Sequence, residues 1–152
     1  MLSYDYEDLF KILNAYKIKY LVVGAHAVIF YSEPRFTKDL DVWIPMTLNE
    51  SARVYEALKA FGAPLRNISA ESFQDPKMIF QIGVAPVRID ILSDLAGIQA
   101  KEAWKNRKRS KYGKTQINII GPAELIKAKK IAGRPQDKLD LARLQARLKG
   151  KL

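Results

Sequence analysis

The chain has 152 residues, 48% hydrophobic and 28% charged, with no cysteine. That composition fits one globular domain and excludes a disulfide framework, a thiolate metal site and a cysteine nucleophile. The formal charge of +10 is unevenly placed: residues 1–100 hold 10 Lys and Arg against 12 Asp and Glu, and residues 101–152 hold 16 against 4. The basic end either attracts a polyanion or solvates exposed helices. The acidic opening has no charged n-region ahead of an apolar run, and 18 uninterrupted apolar residues occur nowhere, so the sequence predicts no membrane segment and a cytoplasmic setting.

In chain order, Leu9, Ile12, Leu13 and Tyr16 recur at helical spacing over 5–16, with Asp5, Glu7 and Asp8 in the first turn where the macrodipole favours anions. Residues 19–23 read as a buried strand that stops at Gly24, and 25–31 as a helix ending before Ser32-Glu33-Pro34. A strand, a glycine and a helix start can offer free backbone N–H groups to a phosphate, although a lone glycine more often only permits a tight turn. Residues 38–44 read as the second strand. Its period of two sets Asp39, Asp41 and Trp43 on one face and Leu40, Val42 and Ile44 on the other.

Two carboxylates side by side on a strand repel each other and need a cation, solvent or a metal ion. Mg²⁺ takes oxygen ligands of this kind and keeps positions for phosphates. Ion pairing of Asp39 and Asp41 with Arg35, Lys38 or Lys129 is the structural alternative. Thr47 is predicted to cap a helix running to about Phe61, with Glu50 completing a capping box. Residues 69–76 read as a short helix and loop, and 78–83 and 87–92 as an antiparallel hairpin. In its second strand Asp90 lies opposite the apolar Val87, Ile89 and Ile91, either paired with Arg88 or serving as a third carboxylate.

Residues 93–110 read as a basic helix or loop, 115–120 as a strand, and Gly121-Pro122 as the start of a helix through Ala132. Lys129 falls on the inward face of that helix with Leu125, Ile126, Ala128 and Ala132. A lysine there either snorkels or meets an anionic ligand or carboxylates. A last helix follows Gly133-Arg134-Pro135. No repeat, linker or low-complexity tract divides the chain, which reads as a single domain, 1–152, with a core over about 1–120 and C-terminal helices over about 121–150.

A strand ending in Gly24, then Arg35-x-Thr37-x-Asp39-x-Asp41, a later strand with Asp90, and a terminal block from Glu124 through Lys129, Gly133, Arg134, Asp137 and Asp140 resemble the minimal nucleotidyltransferases of the DNA polymerase β superfamily. The narrower likeness is to the group that includes the abortive-infection AbiEii toxins. The resemblance implies an α+β fold, a mixed sheet flanked by helices with C-terminal helices, and an Mg²⁺-dependent transfer of a nucleoside monophosphate from an NTP to a hydroxyl of RNA, such as transfer RNA, of protein or of a small molecule. It implies that Asp39, Asp41 and Asp90 converge on two Mg²⁺ ions, for which Mn²⁺ could substitute, and form the catalytic set. Gly24, Ala25 and His26 would cradle the nucleotide, with Arg35, Thr37 and Lys129 as phosphate or supporting contacts. Ala25 departs from the Gly or Ser usual at that position. An antitoxin partner or a homodimer is the expected assembly, and a non-catalytic nucleotide-binding or toxin–antitoxin module is the alternative to an enzyme.

Overall fold

The computed structural model describes residues 5–32, 39–84 and 87–150. Its elements are α1 (Tyr6–Ala15), β1 (Leu21–Val23), α2 (Gly24–Tyr31), β2 (Asp39–Trp43), α3 (Ser51–Phe61), a 3₁₀ turn (Ala70–Gln74), β3 (Ile79–Ile82), β4 (Arg88–Leu92), α4 (Ala100–Lys105), β5 (Lys108–Tyr112), β6 (Thr115–Ile119), α5 (Pro122–Ala132) and α6 (Pro135–Gly150). The strands form one six-stranded sheet in the order β3-β4-β2-β1-β6-β5. Pairs β2/β4 and β1/β6 are parallel, and the others antiparallel. The expected mixed sheet and β3/β4 hairpin are therefore present. Among the described residues no helix is long and apolar enough to cross a membrane.

Helix α1 begins where the Asp5 side chain accepts a 2.8 Å hydrogen bond from the Glu7 N–H, satisfying one of the amides a helix start leaves unpaired. It buries Leu9, Phe10 and Leu13 and packs on α3 and β6. All three residues of β1 are buried, as befits a strand with neighbours on both sides. Leu40, Val42, Ile89 and Ile91 share one sheet face through the β2/β4 register and lie in the core. Helix α2 packs on β1 and β2, and the Tyr31 hydroxyl pins its far end by donating to the Ile120 carbonyl at 2.7 Å.

Two sequence expectations are corrected. Helix α3 starts at Ser51, not at Thr47, because the Asn49 side chain claims the preceding backbone: it accepts from the Lys19 N–H and donates to the Lys19 and Pro45 carbonyls, each at 2.8 Å. Such side-chain bonds compete directly with helix formation. The basic stretch after Ala100 is helical only to Lys105. Residues 108–112 turn back at Gly113, φ +61°, and form edge strand β5 on β6. Glycine supplies the left-handed backbone of this tight hairpin, and exposed lysines suit an edge strand because they oppose pairing with another chain.

The C-terminal helices are joined by buried charge. Lys129 is 7% exposed, Asp137 1% and Asp140 0%. The lysine Nζ donates to Asp137 Oδ1 at 3.0 Å and to Asp140 Oδ2 at 3.2 Å. Arg134 adds a contact of 2.6 Å from Nε to Asp137 Oδ2, and Gln136 donates to Asp140 Oδ1 at 3.0 Å. The Lys129–Asp140 block thus fastens α5 to α6 across the left-handed cap Gly133. Burial raises the Asp137 pKa, but hydrogen bonds and charge from Arg134 and Lys129 outweigh it and bring the carboxyl down to about 2.

Lys129→Met should leave two buried carboxylates without their shared cation and cost about 3–5 kcal/mol. Exposed Lys127→Met should stay within about 0.5 kcal/mol, both read by urea denaturation. Because the Asp137 pKa is depressed on folding, its contribution is complete above the unfolded value of 3.8 and disappears as pH falls towards about 2. Asp137→Asn should therefore remove part of the acid sensitivity in that window.

Candidate active site

Strand register assembles the acidic site. Asp41 of β2 lies between Val23 of β1 and Asp90 of β4, and Asp39 lies opposite Arg88. Paired residues on neighbouring strands point to the same side, so Asp39, Asp41 and Asp90 share one face, opposite Leu40 and Ile89. Two residues that are far apart in the chain, 41 and 90, become neighbours because β2 and β4 run parallel.

Gly24 follows Val23 at once and opens α2 with φ +64°. A Cβ built there would collide with Oδ2 of Asp41 and lie 3.1 Å from its Cγ. Two constraints therefore demand glycine: the left-handed backbone and the carboxylate against its Cα. The first amides of a helix and the acid at the strand centre are thereby brought together. Ala25 and His26 continue this helix start, and the His26 ring meets the edge of Tyr6 at a centroid distance of 5.6 Å.

Burial is the first cause that drives the Asp41 carboxyl up, and the neighbouring Asp90 and Asp39 charges add to it; Lys129 and Arg134 pull it partly back, leaving it at about 7. The clustering of acids costs free energy that a cation would recover. Arg88 already supplies one. Its Nε and NH2 donate to the two Asp90 oxygens, each at 3.0 Å, and its Nε lies 3.6 Å from Asp39 Oδ1. A bidentate pair of this kind is directional, and it holds the Asp90 carboxylate towards Arg88. Among the described residues no three His, Asp or Glu side chains are grouped as ligands of one ion. Each oxygen of Asp90 nevertheless retains acceptor capacity, since a carboxylate offers about four lone-pair sites.

Lys129 is within electrostatic reach of Asp41 yet bonded to Asp137 and Asp140. It lines, with Gly24, Asp41, Leu125 and Arg134, a cavity of about 120 Å³. Arg35 and Thr37 fall outside the described residues.

Two groups beside the acids escaped the sequence reading. Tyr6 donates from its hydroxyl to the Arg88 carbonyl at 3.3 Å; burial first, then the charges of Tyr112, Asp39, Asp41 and Asp90, raise its pKa. Arg134, with its side chain 74% exposed, is a cation that acts on Asp41 together with Lys129. Tyr6 reads as an ordinary helix residue from sequence. Arg134 sits in the quoted C-terminal block, but only the α5–α6 turn carries it to β2.

Gly24→Ala should cost about 1–3 kcal/mol through backbone strain and the clash, and shift Asp41, measurable by denaturation and by the carboxyl titration in NMR. The Asp41 pKa is raised in the folded chain, so the metal-free protein binds more protons than the unfolded chain between pH 3.8 and about 7. Stability relative to Asp41→Asn should accordingly fall as pH rises through that window.

Solved structures share this fold at low sequence identity. A lincosamide antibiotic adenylyltransferase, LnuA, solved with lincomycin bound, is 15% identical with a TM-score of 0.57, the match covering 95% of this chain and 98% of that one. A Thermotoga maritima protein described as a nucleotidyltransferase is 13% identical with a TM-score of 0.59, covering 91% and 88%. The antibiotic-resistance factor ANT(2'')-Ia is 8% identical with a TM-score of 0.59, covering 95% and 81%. No curated protein matches the chain significantly in sequence. A family model described as nucleotidyl transferase of unknown function (DUF2204) matches residues 3–152, and the chain, a nucleotidyltransferase, belongs to that family.

Proposed function

We propose that this chain transfers a nucleoside monophosphate from an NTP to an acceptor hydroxyl, using Mg²⁺ held by Asp39, Asp41 and Asp90. One observation carries the reading: the register that stacks Val23, Asp41 and Asp90 across three strands, with Gly24 cleared of a side chain so that a helix start meets the central acid. The donor set fits a hard divalent cation in chemistry and charge. Three carboxylates share one face, and mutual repulsion together with burial lifts Asp41 to about 7.

Bound ions would supply Lewis-acid stabilisation of the phosphoryl oxygens and a more acidic acceptor hydroxyl. The chain's own groups do the rest. The amides that begin α2 at Gly24, Ala25 and His26 face anions favourably because the helix dipole is positive there. Arg134 offers an exposed guanidinium beside Asp41, suited to the negative charge of the departing pyrophosphate. Asp90 orients the acceptor hydroxyl, and Arg88 fixes Asp90. The acceptor hydroxyl passes its proton to the Asp90 carboxylate as its oxygen bonds to the α-phosphorus, the bond from that phosphorus to the bridging oxygen breaks, and pyrophosphate leaves with the electron pair. Lys129 acts here by holding α5 on α6 rather than by touching phosphate.

RNA, a protein side chain or a small molecule can present the hydroxyl. A toxin–antitoxin setting, with an antitoxin or a second copy as partner, rests on the sequence resemblance. A module that binds nucleotide without transfer is the alternative, and Ala25 is the residue that favours it.

Incubation with each α-labelled NTP, Mg²⁺ and candidate acceptors should yield a labelled product and pyrophosphate. Asp41→Asn should lower the rate by about 10²–10³-fold, the range seen when a charge-stabilising group is lost from a site. Mg²⁺-dependent NTP binding with no transfer to any acceptor would establish the non-catalytic alternative, and equal activity in Asp41→Asn would refute the site.

A further inference from the structure

Away from the acids, β5, β6, the end of α4 and the turn after α1 enclose a second groove of about 520 Å³. Lys17, Lys19, Arg107 and Arg109 line it, together with Trp104 and Asn118. Among the described residues none of these four cations has a salt-bridge partner. Burial, then the charge of Arg109, lowers the Arg107 pKa, so the groove gathers like charges without an acid to offset them. Exposed Lys105, Lys108, Lys111 and Lys114 extend the same field along β5 and its hairpin turn.

The groove also has a flat, ordered surface. The Arg107 guanidinium lies 3.8 Å from the centre of the Trp104 ring and Lys19 Nζ 6.0 Å from it. Arg107 NH1 donates to the Trp104 carbonyl at 2.8 Å and its Nε to Asn118 Oδ1 at 3.3 Å, which holds the guanidinium plane in place. Stacked guanidinium and indole planes next to side-chain amides suit an unpaired base, and the surrounding lysines suit its phosphates. An acidic protein would use the charge but not the planes.

Register relates the groove to the acids. Val22 pairs with Ile119, which sets Asn118 level with Leu21, and Leu21 pairs with Trp43. Asn118 and its partner Arg109 therefore share the sheet face of Asp41, two and three strands away and towards the opposite strand end. Strand spacing and rise put the Cα atoms of Asn118 and Asp41 roughly 12 Å apart.

We propose that this groove binds single-stranded nucleic acid, with a base against Trp104 and Arg107 and phosphates on Lys17, Lys19 and Arg109. Binding here is independent of catalysis; only the further role of that strand as the acceptor rests on the transferase reading.

The test uses full-length Asp41→Asn protein without NTP, so that loss of transfer and loss of binding are separable. Fluorescence anisotropy is recorded with labelled oligo-U and oligo-dT at about 0.1 M and 0.3 M salt. Binding that weakens with salt is expected, and an affinity gap between the two probes reports the preferred sugar. Lys19→Glu with Arg109→Glu, both exposed positions, should weaken binding at least about tenfold, while the control pair Lys59→Glu with Lys77→Glu leaves it within about twofold. Tryptophan fluorescence should fall on binding, and Trp104→Phe should abolish that change. Absence of binding at 0.1 M salt overturns the proposal. So does equal weakening by both charge-reversal pairs, or polyglutamate binding tighter than either oligonucleotide.

Discussion

The electrostatic repulsion around Asp41 is the constraint on which the site depends. Strand β2 has a paired neighbour on each edge, yet it places Asp41 at its centre, with Asp90 level on the next strand and Asp39 two residues away. Burial and these like charges lift Asp41 to about 7, well above an ordinary aspartate. Among the described residues, Arg88, Lys129 and Arg134 soften the repulsion. Arg88 is bound to Asp90 through both oxygens, Lys129 is occupied by two other aspartates, and Arg134 is largely in solvent. Among the described residues Asp41 keeps a demand for positive charge, which its raised pKa reports.

That demand is met next to a helix start, and the coupling is geometric. Gly24 lies at the junction of β1 and α2, its Cα against the Asp41 carboxylate, so the strand that holds the acid and the helix that offers amides cannot move independently. Tyr31 ties the other end of α2 to the end of β6, and the buried Lys129 cluster fixes α5 on α6, on which α2 also packs. The C-terminal charge network thus stabilises the frame and reaches the site mainly through position and field. Long-range basic charge acts elsewhere, on the β5–β6 side, where a groove of cations and an arginine-stacked tryptophan lies on the same sheet face as the acids.

Much of this was legible in residue order. Alternation in Asp39-Leu40-Asp41-Val42 is a local property, and so are the glycine after a β-branched run and the inward lysine on α5. The parts that were not legible depend on partners distant in sequence. Nothing local shows that β2 runs parallel to β4, which is what brings Asp90 level with Asp41. Nor does local pattern show that Asn49 reaches back to Lys19 and delays α3 to Ser51. The sequence of β5 carries no apolar alternation among its lysines and arginines, which hides a strand; only pairing with β6 across Gly113 makes it one. The lysine at 129 was seen to point inward, and the choice between its two roles required Asp137 and Asp140 of the next helix.

Calorimetry of Mg²⁺ binding in the presence of a non-hydrolysable NTP, repeated at pH 7 in buffers of different ionisation heats, addresses the acidic cluster most directly. A cation that binds Asp41 must displace the proton held there, so wild-type protein should release protons on binding at that pH, as an Asp41 pKa raised to about 7 implies. Asp41→Asn should show weak binding and no proton release. Tight Mg²⁺ and nucleotide binding by wild type with no buffer dependence, or the same release from Asp41→Asn, would contradict a cation site built on Asp41.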